Sequence, residues 1–92
     1  MNFRTLPEFE AAFAKVVREH RYLLDELNEV VAYVAEYGSI PDAYRPHRLV
    51  LANTVFSGFW EFHLSDVDDV LVIYSLTKTE FVLMDVTDHK HL

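Results

Sequence analysis

An α+β domain is what this sequence predicts: two N-terminal helices packed on a small antiparallel sheet of about four strands, in two layers. Two observations carry that reading. Apolar residues recur at helical spacing as far as Gly38, and beyond Pro41 and Pro46 the pattern changes to short β-branched and aromatic runs. With 92 residues, 51% of them hydrophobic, there is material for one core, so residues 1–92 are expected to form a single domain.

The elements follow in order. Thr5-Leu6-Pro7-Glu8 has the chemistry of a helix start, with Thr5 as N-cap, Pro7 in the first turn and Glu8 three residues after the cap. Phe9, Ala12, Phe13, Val16 and Val17 then form one apolar stripe. A second stripe comprises Leu23, Leu24, Leu27, Val30, Val31 and Val34, with Asp25 and Glu26 near the positive end of its dipole and Gly38 as C-cap. A helical hairpin turning between His20 and Leu24 is preferred to one long helix. Residues 39–46, with two prolines, form a connector. Strands are expected at residues 48–52, 59–64, 70–75 and 81–84. The third, Val70-Leu71-Val72-Ile73-Tyr74-Ser75, is apolar enough to be a central strand buried on both faces. An acidic turn at 65–68 and Thr77-Lys78-Thr79 separate the last three.

Composition excludes several classes. There is no cysteine, which removes disulfides and thiolate zinc sites and suits a reducing cytoplasm. No apolar run approaches the roughly 20 residues that span a bilayer, so no membrane partner is expected, and the N-terminus does not read as a signal peptide. Eight Lys and Arg against fifteen Asp and Glu give a formal charge of −7. From Leu49 onward only Lys78 and Lys90 are basic, against Glu61, Asp66, Asp68, Asp69, Glu80, Asp85 and Asp88. A surface that binds nucleic acid is ordinarily a basic patch, so this half argues against RNA.

Chemistry gathers around Gly58-Phe59-Trp60-Glu61-Phe62-His63-Leu64. His63 lies in an aromatic-rich strand, Asp69 stands at the mouth of the next strand and His89 comes late. Two imidazoles and a carboxylate on neighbouring strands are groups that move protons near neutral pH. Other readings stand beside this one. His63, Asp69, His89 and His91 offer metal-ligand types without a ligand-pair motif, so no metal and no cofactor is expected. Asp66, Asp68 and Asp69 read as a solvated turn. Phe56, Phe59, Trp60 and Phe62 would stack bases, or feed the core or a partner interface.

Over nearly its whole length the chain resembles the RelE/ParE superfamily of bacterial toxins, in its YafQ branch. The resemblance rests on Ile40-Pro41, His47-Arg48-Leu49, Gly58 to His63, Asp69 before an apolar strand ending Ile73-Tyr74, and His89. It implies a type II toxin that cleaves mRNA in the ribosomal A site without a metal, inhibits translation and is silenced by a cognate antitoxin. Carried over position by position, His47, His63, Asp69 and His89 match the family's catalytic residues. Asp69 or His63 would be the base or its orienting partner, and His89 the acid. Arg48, Trp60 and Lys90 are expected to contact substrate. The chain departs from the family pattern where Trp60 and Asp85 replace arginines, where Val70 replaces a tryptophan, and where Leu92 ends the chain without the usual Phe. Two lost arginines remove expected phosphate clamps, leaving Arg45, Arg48 and Lys90 as replacement cations. The alternative is a degenerate member that binds an antitoxin or another protein target, as a ParE-like toxin would, without nuclease activity. An acidic toxin is also expected to prefer a partner whose binding segment is basic or strongly apolar.

Overall fold

The computed structural model describes residues 1–49 and 59–91. Strand β1 (Asn2–Thr5) leads into helices α1 (Pro7–Glu19) and α2 (Tyr22–Tyr37) and a 3-10 turn at Asp42–Tyr44. Strands β2 (His47–Arg48), β3 (Trp60–Ser65), β4 (Val70–Leu76) and β5 (Glu80–Thr87) follow, with a second 3-10 turn at His89–His91. The sheet order is β1-β5-β4-β3-β2.

The two-layer α+β class is the one the sequence predicts, but the sheet is five-stranded and mixed. β2 to β5 pair antiparallel, whereas β1 runs parallel to β5, with Phe3 opposite Phe81. The extra strand also corrects the helix start. Thr5 ends β1 opposite Leu83, so the N-cap position falls to Leu6 and carries no side-chain bond. The Thr5 hydroxyl donates to Glu10 Oε2 instead, at 3.0 Å. Pro7 keeps its place at the start of α1, where its missing N–H costs nothing. Of the strand expected at 48–52, Arg48 lies in β2 and residues 50–52 fall outside the described residues, as do Phe56, Gly58 and Leu92.

The hairpin turns at His20 and Arg21, as expected, and α2 ends at Gly38, whose φ of 75° is the left-handed conformation a C-cap requires. Phe9 and Phe13 from α1, with Leu23, Leu27, Val30 and Val34 from α2, pack on Phe62, Leu64, Val72, Tyr74, Phe81 and Leu83 of the sheet. β4 is central and buried from Val70 through Tyr74. Because side chains alternate along a strand, the face opposite this core carries Glu61 and His63 of β3 with Leu71 and Ile73 of β4. The register sets His47, Glu61, Ile73 and Asp85 in one row, and His63, Leu71 and Thr87 in the next. That face holds the polar groups.

Candidate active site

Three imidazoles gather on this face, with His63 next to both of the others. The ring centroids of His47 and His63 are 5.5 Å apart, and those of His63 and His89 are also 5.5 Å apart. Each ring arrives from a different element. The two-residue strand β2 presents His47, β3 presents His63, and the turn after β5 presents His89. Asp69 enters at the start of β4 with φ of 52°. That sparsely populated conformation lets its carboxylate reach the last turn: Asp69 Oδ2 accepts the His89 backbone N–H at 3.1 Å, and Oδ1 accepts from His89 Nδ1. His89 Nδ1 therefore carries a proton, on a ring that is mostly exposed.

Sequence reading missed Glu61. Its side chain is buried, yet it points onto the polar face between two imidazoles. Oε1 lies 2.6 Å from His47 Nε2 and 4.0 Å from His63 Nε2. Oε2 is buried without a hydrogen-bond partner. The other nitrogen of His47, Nδ1, donates to the Arg45 carbonyl at 3.1 Å, so both nitrogens of that ring face acceptors and the imidazolium form satisfies both. The available signal was period two. A Glu two residues before His63 in an otherwise apolar strand must share its face.

The acidic turn is not merely solvated. Asp66 Oδ1 lies 3.0 Å from His63 Nδ1 and accepts from the Arg45 guanidinium. The Arg45 hydrogen bond, aided by that from His63, holds the Asp66 carboxyl below the usual carboxylate range. Asp68 accepts from the Tyr22 hydroxyl, whose second partner is Ser65 Oγ at 2.6 Å, and lies 3.6 Å from His20 Nδ1. Donation to Asp68 is the main reason that Tyr22 is harder to ionise than a free phenol. Asp88 accepts from His91 Nδ1 at 2.6 Å, which lowers its own titration. All five histidines thus stand beside a carboxylate. The excess acid of the C-terminal half is spent on orienting imidazoles.

The structure brings together His47, His63, Asp69 and His89. It places Arg48 and Trp60 differently, paired across β2 and β3 one residue along from His47 and Glu61, and so on the alternate face. Trp60 is 43% exposed and borders a groove of about 320 Å³ with Ile40, Pro46, Tyr74 and Leu76. Lys90 is exposed in the turn beside His89. Asp85 is half-buried and spends Oδ1 on the Val86 backbone N–H at 2.8 Å. A larger cleft of about 500 Å³ adjoins the site between α1 and the ends of β4 and β5, with Lys15, His20, Asp69 and Asp88 on its walls. His47, Glu61 and His63 offer three ligand atoms within 4.8 Å of one another, a donor set that suits a divalent transition ion. Among the described residues, no helix is long and apolar enough to cross a membrane.

Residues 1–92 match the model of a family described as bacterial toxin of type II toxin–antitoxin system, YafQ. No curated protein matches the chain. Among solved structures, a metal-bound toxin from Helicobacter pylori superposes with a TM-score of 0.76 at 23% identity, covering 100% of this chain and 98% of that one. A copper-bound mutant toxin from the same organism gives 0.77 at 21%, again with 100% and 98% covered. YafQ in the E. coli DinJ–YafQ complex gives 0.72 at 17%, with 99% and 96% covered. At these identities the structures speak for a shared fold.

Proposed function

Since the chain belongs to the YafQ family of type II toxin–antitoxin toxins, we propose that it is an endoribonuclease that cleaves mRNA on the ribosome, inhibits translation in the cytoplasm and is silenced by an antitoxin. The observation that carries the nuclease is the cluster of three imidazoles at 5.5 Å spacing, each steadied by a carboxylate. A phosphodiester seated against that cluster meets a proton acceptor on one side and a proton donor on the other. When His63 Nδ1 donates to Asp66, its Nε2 lone pair is free to take the ribose 2′-OH proton. The 2′-oxygen then attacks the adjacent phosphorus, and the bond to the 5′-oxygen breaks. His89, doubly protonated, gives its Nε2 proton to that leaving oxygen, leaving a 2′,3′-cyclic phosphate and a 5′-hydroxyl. Asp69 is the positioning residue of the acid, since its carboxylate accepts from His89 Nδ1 and from the His89 backbone N–H and so fixes the ring. His47 and Glu61 form a charged pair behind the base. No step requires a metal.

An antitoxin partner is supported by the DinJ–YafQ complexes among the structural relatives. Given the charge of −7, we assign this chain a partner whose binding segment is basic or strongly apolar. A second reading concerns the same residues. A copper or zinc ion on His47, Glu61 and His63 would satisfy the orphaned Glu61 Oε2 region and take up the lone pair that the base needs, so it would inhibit. Incubating programmed ribosomes with chelator-treated protein tests both readings. Cyclic-phosphate ends formed by the metal-stripped protein once the chelator has been removed, and suppressed by stoichiometric zinc, are expected. Cleavage that requires added metal would overturn the metal-free assignment.

A further inference from the structure

On the face that carries the histidines, Asp85 stands where the family resemblance implies an arginine, which leaves the site short of a cation. The fold supplies one from elsewhere. Arg45 closes the 3-10 turn at Asp42–Tyr44 in the left-handed conformation, φ 49° and ψ 58°, one of only two non-glycine residues with positive φ among the described residues. For an arginine that conformation is disfavoured by about 1–2 kcal/mol, and its bonds show what holds it. The backbone N–H donates to the Asp42 carbonyl at 2.9 Å, and the carbonyl accepts from His47 Nδ1. The guanidinium reaches His63, with Nη2 at 3.0 Å from Nδ1, and donates to Asp66. One residue thus touches two imidazoles of the cluster, one through its backbone and one through its side chain. No other Arg or Lys among the described residues makes a polar side-chain contact with His47, Glu61, His63, Asp69 or His89.

The contacts around His63 Nδ1 conflict. A guanidinium only donates and a carboxylate only accepts, yet both lie 3.0 Å from the same nitrogen. One of the two is redundant at any moment. Asp66 presents to Arg45 what a phosphate would present, an anionic pair of oxygens. The Arg45 side chain is also 59% exposed, and both its contacts use Nη2, which leaves Nε and Nη1 free of partners among the described residues. Half of the guanidinium fork is open.

We propose that Arg45 is the phosphate-binding cation of this site and that Asp66 is a built-in stand-in for the phosphate. Substrate takes the guanidinium over from Asp66. Asp66 is then left to accept from His63 Nδ1–H, the tautomer that frees Nε2 as base. The inference deepens the nuclease reading and takes its substrate class from it, but its test does not depend on cleavage. A trinucleotide whose central ribose is 2′-deoxy binds without being cut, and its affinity can be read from the ¹⁵N shifts of the Arg45 side chain and the His63 ring. Arg45→Gln is expected to weaken binding about tenfold or more, and Arg45→Lys to restore part of it, since lysine returns the charge without the fork. Asp66→Asn is expected to tighten binding several-fold. Asp85→Asn removes the same charge from the same face without touching Arg45, and it should tighten binding less. In the Arg45→Gln background the Asp66→Asn gain should vanish. A wild-type protein that does not bind, an Arg45→Gln protein that binds equally well, or an Asp66→Asn gain that survives loss of Arg45 would each overturn the proposal. Arg45-dependent binding by a protein that leaves mRNA intact would sustain it and overturn the nuclease instead. Circular dichroism of each variant shows that it is folded.

Discussion

Replacing Glu61 by Leu should make the protein more stable and inactive. The residue is only 3% exposed, and one of its carboxylate oxygens is buried with no partner. Its single short contact is to His47 Nε2, at 2.6 Å. Desolvating a carboxylate costs several kcal/mol, and one imidazole partner offsets only part of that. Removing one member of a buried ion pair usually strands the other. Here the stranded group is His47, whose side chain is 50% exposed, so water replaces the carboxylate. A leucine also fills nearly the same volume in a row already built from Ile73. Exchanges of this kind stabilise by about 1–4 kcal/mol, and for a domain of this size each kcal/mol moves the unfolding midpoint by about 4–8 °C. Thermal unfolding of Glu61→Leu beside wild type at pH 7 is therefore expected to show a midpoint higher by at least about 4 °C. Cleavage should fall by about a hundredfold or more, in line with loss of a preorganised charge. Glu61→Gln, which keeps the shape and the acceptor for His47, should lose activity to a similar degree. A Glu61→Leu protein destabilised by several kcal/mol would refute the reasoning, because the His47–Glu61 pair would then be a net source of stability.

Other consequences are simpler to measure. Gly38→Ala places a Cβ in open space, so only the left-handed backbone is penalised, and chemical denaturation should show a loss of about 1–2 kcal/mol. Burial pushes the Tyr74 hydroxyl up to about 12. A group raised in the folded state contributes stability that is complete below its unfolded value near 10 and is lost as pH rises through about 12. Denaturation curves should therefore weaken across that window, and Tyr74→Phe should flatten the dependence there. Unchanged pH dependence in Tyr74→Phe would assign the alkaline loss to other groups.

The fold was largely legible because most of its elements declare themselves locally. The apolar stripes from Phe9 to Val34 and the run from Val70 to Tyr74 carry their own periodicity, and Gly38 its own conformation. β1 does not. Its four residues, Asn2 to Thr5, gain their partner only from β5, nearly the whole chain away, and the Thr5-Leu6-Pro7-Glu8 pattern invited a cap at a residue that completes a strand. Pairing over that distance leaves no trace in a short exposed segment. At the site, the histidines and Asp69 could be named from their order, whereas the supporting residues could not. Glu61 needed the strand parity that turns it toward His47. Asp66 and Asp68 look like any polar turn until His63, His20 and Tyr22 are seen to close on them. Arg45 was legible only as a spare cation, because the turn that brings it over His63 is set by Pro41, Pro46 and the contacts of the strands beyond.

The most direct test compares wild type with His89→Ala on programmed ribosomes carrying a defined mRNA. The ring of His89 is exposed and the substitution removes no core contact, so the variant should fold as wild type. Cleavage by the wild type and its loss by two or more orders of magnitude in the variant, with antitoxin binding retained, is the expected result. Undiminished cleavage by His89→Ala would contradict the assignment of the acid. No cleavage by folded wild-type protein would contradict the nuclease itself and leave a family member that keeps the fold and binds its partner without cutting RNA.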